Sequence, residues 1–73
     1  MQLHLGQRIR IVVNGEAAET GAATLAELVA ALGYNESQVA TALNGEFVAR
    51  GARAETRLAA DDSIEIVAPR QGG

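Results

Sequence analysis

The 73-residue chain has no cysteine, no tryptophan and no lysine. It has one proline, Pro69, and two aromatic residues, Tyr34 and Phe47. Without cysteine there is no disulfide, no thiolate zinc site and no cysteine nucleophile. Without lysine, all six positive side chains are arginines, at positions 8, 10, 50, 53, 57 and 70, and they form no continuous basic stripe. The net charge is −3, and an acidic chain without such a stripe is a poor ligand for a phosphate backbone, so no nucleic-acid partner is expected. No apolar run has the length of a signal peptide or a membrane span, which leaves a cytoplasmic protein with no membrane partner as the expectation.

The apolar fraction is 48%, but 15 of those residues are alanine. The bulk of a core must come from Ile, Val and Leu, with Phe47 open to either a core or a surface role. A chain of this length forms one domain and buries only about 60% of the surface its unfolded form exposes. Little room remains for an enclosed substrate pocket, which usually needs about 300 Å³ or more. Composition therefore argues against a self-contained enzyme.

The pattern along the chain predicts two hairpins, one helix and a last strand. Ile9, Ile11 and Val13 share one face of a strand over residues 8–13. Asn14-Gly15 is a strong hairpin signal, because both central positions of the favoured turn need a positive φ; residues 16–20 read as the return strand. In TLAELVAALG (24–33), Thr24 is placed to cap a helix and Glu27 to close a capping box. Leu25, Leu28, Val29 and Leu32 form its apolar stripe, and Gly33 suits a left-handed C-terminal cap. Residues 34–38 read as loop and 39–43 as a strand. Asn44-Gly45 signals a second hairpin with 47–50 as its return. Residues 51–62 lack clean periodicity and read as loop with one turn of helix. In Ser63–Val67 the alternation puts Ile64 and Ile66 inward and Ser63, Glu65 and Val67 outward, and Pro69 ends the ladder. A short helix of this kind must pack on a sheet. The last strand, set parallel beside the first, completes an α+β fold of the ubiquitin-like β-grasp class: a mixed sheet of four to five strands with one main helix on one face. The domain is read as residues 1–68, with 1–7 an N-terminal extension, and residues 69–73 as a flexible Gly-Gly tail.

The chain resembles the ThiS family of small sulfur carriers in thiamine biosynthesis. The resemblance rests on IVVNGE (11–16), TLAELVAALG (24–33), VATALNGEFV (39–48), SIEIVAP (63–69) and the terminal Gly72-Gly73. Their order and spacing against the terminal pair carry it, not any single stretch. Ala60-Asp61-Asp62 stands where the family usually has Asp-Gly-Asp, which predicts a different turn there. The resemblance implies that the Gly73 carboxylate is adenylated by an ATP-using activating enzyme and converted to a thiocarboxylate by a cysteine-derived sulfur donor system. Thiazole synthase is the implied acceptor. The chain itself would be a co-substrate, with no catalytic residue, cofactor or metal of its own. Other carriers and modifiers with the same ending stay open as alternatives: the small subunit of molybdopterin synthase, a protein modifier, or an interaction module with an inert tail.

The tail suits the implied role. Two terminal glycines arise by chance with a probability of roughly 0.5% at average usage. A terminal carboxylate, with a reference pKa of about 3.3–3.7, is ionised at neutral pH. Arg70, Gln71, Gly72 and Gly73 reach at most ~14 Å when extended, enough to enter a narrow partner site, and the glycines carry no side chain to block the passage. An outward Val67 near the tail, with Phe47 if exposed, is the candidate docking surface. His4 and Asp61-Asp62 read as solvated, Tyr34 as a cap on the core, and Arg50, Arg53 and Arg57 as solvated surface.

Overall fold

The computed structural model describes residues 8–69. Five strands form one sheet: β1 (Ile9–Val13), β2 (Glu16–Thr20), β3 (Ala40–Leu43), β4 (Glu46–Val48) and β5 (Ser63–Val67), in the order β2-β1-β5-β3-β4. β5 runs parallel to β1 and antiparallel to β3. The helix α1 (Leu25–Ala31) covers one face. This is the ubiquitin-like β-grasp arrangement.

Local chemistry accounts for the elements. Both Asn-Gly turns have two positive φ values: 51° and 84° at Asn14 and Gly15, 51° and 87° at Asn44 and Gly45. That is the turn whose twist matches flanking strands. The α1 N-terminus is capped as expected, Glu27 N–H donating to Thr24 Oγ1 at 3.2 Å. The Glu27 carboxylate instead reaches one residue further back, accepting from the Ala23 N–H at 2.8 Å. At the other end Tyr34 N–H donates to the Val29 carbonyl and Gly33 N–H to the Ala30 carbonyl, with Gly33 at φ 87°. These two bonds close the helix on a glycine cap.

That cap corrects one expectation. Leu32 does not belong to the buried stripe; it is the C-cap residue and is 47% exposed. Its own backbone stays right-handed, and its side chain lines the groove beside α1 with Leu28, Ile11 and Val13, at the open end of the helix where the core no longer covers it. Leu25, Leu28 and Val29 pack with Ile11, Ile64 and Ile66 as the core, each no more than 4% exposed. Full burial of such side chains contributes about 1.5–3 kcal/mol apiece. Tyr34 lies partly buried against this core, as expected.

One open choice is settled and one further expectation is corrected. Phe47 is not core: it projects from β4 and is 73% exposed. Its register partner Ala42 shares its face with Glu65 of β5, and paired residues of neighbouring strands point to the same side of a sheet. That side is the one the helix leaves open. Arg53 is not solvated surface: it is buried. A 3-10 segment, Arg50–Glu55, where one helical turn was expected, aims it under the sheet. A second short 3-10 turn, Glu36–Gln38, occupies the stretch read as loop.

Candidate functional site: the open sheet face and the exit of β5

Strand alternation decides which side chains reach the open face. With Ile64 and Ile66 buried under α1, Ser63, Glu65 and Val67 point the other way, and all three are exposed. Val67 pairs with Ala40, and Ala42 pairs with both Glu65 and Phe47. Val67 and Phe47 therefore occupy the same face, two strands and two residues apart, with Cα atoms about 12 Å from one another by ordinary strand spacing. Ala40 and Ala42 lie between them and are too small to fill the gap. The result is a shallow apolar surface with Val67 at one corner and Phe47 at the other, 63% and 73% exposed.

The far half of the same face is charged. Arg10 of β1 sits opposite Glu19 of β2, and Glu19 also meets Arg8 at 3.9 Å in an exposed pair. Glu65 stands between the halves. The apolar half adjoins the end of β5, where Ala68 and Pro69 are exposed. A groove lined by Ser37, Gln38, Val39, Ala40, Val67 and Pro69 runs beside this exit.

Arg70, Gln71, Gly72 and Gly73, the candidate working tail, lie outside the described residues, as does His4. Among the described residues no group of three or more His, Asp or Glu side chains is placed to hold a metal. No helix among them is long and apolar enough to cross a membrane. Asp62 is engaged in its turn, one carboxylate oxygen accepting from Asn44 Nδ2 at 3.0 Å and the other from the Ala59 N–H at 2.8 Å. Arg50 pairs loosely with Glu36 at the surface, 4.0 Å apart, and Arg57 is exposed.

The family comparison decides what this architecture is. The model of the ThiS family matches residues 11–73, from β1 through the terminal Gly72-Gly73. The chain belongs to the ThiS family. Solved structures agree with that placement. The crystal structure of a thiamine biosynthesis protein, ThiS, from Geobacter metallireducens is similar at 30% identity with a TM-score of 0.74, covering 89% of this chain and all of that one. The solution structure of a thiamine biosynthesis protein from the same organism is similar at 29% identity with a TM-score of 0.75, covering 89% of this chain and 88% of that one. None of the curated proteins compared matches.

What sequence reasoning missed in this ThiS-family chain is the set of side chains that fix β5. Asn14 and Asn44 read as turn formers, yet both also bind β5 or its approach. Arg53 read as surface, yet it ties down the segment next to the exit. No sequence signal separates it from Arg50, which is also flanked by small residues and is exposed.

Proposed function

We propose that this chain is a sulfur carrier of thiamine biosynthesis whose working group is the Gly73 carboxylate. An E1-like activating enzyme joins that carboxylate to the α-phosphorus of ATP, releasing pyrophosphate and forming an acyl-adenylate. Cysteine-derived sulfur displaces AMP and leaves a thiocarboxylate, and thiazole synthase takes up the sulfur. The chain acts as a co-substrate in the cytoplasm, and ATP belongs to the activating partner.

The observation that carries this reading is the family match running through Gly72 and Gly73, directly after the exposed exit of β5. The apolar surface around Val67 and Phe47 supports it, because exposed apolar patches on small domains mark partner sites. Such a patch beside the exit would hold the domain while the tail enters the partner.

The test is reconstitution with ATP and an activating enzyme, followed by ATP–pyrophosphate exchange and mass measurement of the carrier. The expected product gains the mass difference between sulfur and oxygen. Deleting Gly73 retracts the carboxylate by up to ~3.5 Å, and reacting atoms must come within about 3–3.5 Å, so exchange should vanish while the melting temperature holds. Gly72→Val should also fold normally and react poorly, since a β-branched side chain restricts the backbone and fills the passage. Activation of the chain lacking Gly73 at the parental rate would show that the terminal carboxylate is not the working group.

A further inference from the structure

Arg53 is 3% exposed, and among the described residues no carboxylate lies within ion-pair distance of it. Burying a cation costs several kcal/mol unless its donors are met. Here three acceptors meet three of the five, one on each nitrogen. Nε donates to Thr41 Oγ1 at 3.0 Å, one terminal nitrogen to the Glu36 carbonyl at 2.9 Å, and the other to the Val39 carbonyl at 2.7 Å. Thr41 passes the chain on, its hydroxyl donating to the Val48 carbonyl at 2.9 Å. One planar fork thus joins three pieces of backbone: the 36–39 turn, β3 and, through Thr41, β4.

The clamped turn is also a wall of the groove at the exit. Residues 37–40 line it on one side, with Val67 and Pro69 on the other, and Ala40 is the register partner of Val67. The other side-chain ties on this turn among the described residues are the local Asn35 side chain, which accepts from Ser37, and the loose, exposed Arg50–Glu36 pair at 4.0 Å.

We infer that Arg53 is a positioning residue: by fixing residues 36–39 against β3, it sets the wall that the activating partner contacts as the tail leaves β5. This rests on the proposed carrier function. The planar fork is what the arrangement uses. A lysine keeps the charge but presents a single ammonium, which does not span three acceptors that a guanidinium reaches in one plane.

The experiment compares the full chain with Arg53→Met and Arg53→Lys. It measures the melting temperature, amide hydrogen exchange, and the kcat and KM of activation with the carrier as varied substrate. Exchange at residues 37–40 should accelerate in both variants while the amides of Ile11, Leu28 and Ile64 stay protected. KM should rise about tenfold with kcat nearly unchanged, the pattern of lost binding rather than lost chemistry. A purely structural arginine would lower the melting temperature and leave KM as it was for the folded protein, and that result overturns the inference. Should both variants fail to fold, the unaltered chain still decides: binding of the activating enzyme should protect the amides of residues 37–40, and absence of that protection overturns the inference. If the unaltered chain shows no pyrophosphate exchange at all, the carrier reading itself has failed. Normal exchange with an unmoved KM in the variants condemns only the role given to Arg53.

Discussion

Asn14 grips the main chain of Ile66 with both ends of its side-chain amide. Oδ1 accepts from the Ile66 N–H at 2.9 Å and Nδ2 donates to the Ile66 carbonyl at 3.2 Å. The Cα register between β1 and β5 covers only Val12 with Ser63 and Val13 with Ile64. Asn14 turns away at φ 51°, yet its side chain continues the ladder as a stand-in for the next peptide group. Asn14→Gly keeps the turn and loses both bonds. It should cost about 1–3 kcal/mol, the range for two partly buried hydrogen bonds. Asn14→Asp keeps the acceptor, but sets a carboxylate against a carbonyl, and should cost at least as much. Urea unfolding of the two variants checks this; stability unchanged in both would remove Asn14 from the ladder.

The helix offers a paired test. Leu28 is 2% exposed and Leu32, one turn on, is 47% exposed. Leu28→Ala should cost about 2–5 kcal/mol through lost burial and the cavity left behind. Leu32→Ala should cost well under half of that. Calorimetric melting of both measures the contrast, and equal losses would place Leu32 back in the core.

On the open face, Val67→Glu and Phe47→Glu should leave the melting temperature nearly unchanged. Exposed substitutions away from special features usually fall within about 0.5 kcal/mol. Affinity for the activating enzyme, measured by titration calorimetry, should fall in both. Undiminished affinity would mean that the partner grips another surface.

The turn before β5 gives a prediction with the opposite sign. Asp61 holds a φ of 72° where the family's Asp-Gly-Asp pattern has glycine, and its side chain is exposed. The turn therefore keeps a left-handed residue despite the altered sequence. Left-handed backbone costs an L-residue roughly 1–2 kcal/mol, less for Asp than for most. Asp61→Gly should stabilise the domain by about 0.5 kcal/mol and Asp61→Val should destabilise it by more than 1 kcal/mol. Thermal melts would settle the order.

The sheet and its central pairing were legible because period-two alternation in RIRIVV and SIEIV and two Asn-Gly turns leave few ways to close a sheet. The outward Val67 followed from that same alternation. Phe47 was ambiguous because β4 has only three residues, too few to show which face the alternation favours. Leu32 kept the helical spacing and the helical direction, but it fell on the cap, where too little of the core remains to cover it. Arg53 was beyond sequence reading, because the acceptors that make its burial tolerable come from residues 12 to 17 positions away. The role given to the tail rests on its chemistry and on the resemblance, and residues 70–73 lie outside the described residues.

The place of β5 ties the order of folding to readiness for work. β1–β2 and β3–β4 are local hairpins that share no edge except through β5. An isolated hairpin is marginally stable at best. Joining them requires β5 to pair with β1 across about fifty residues and with β3 across about half as many, long-range contacts that form more slowly than a local hairpin. Until Ser63–Val67 slots between them, there is neither a closed sheet nor a fixed Val67 beside Ala40. A partner that recognises this surface would therefore accept only chains that have finished folding, so the fold itself would act as the check on entry to the proposed cycle.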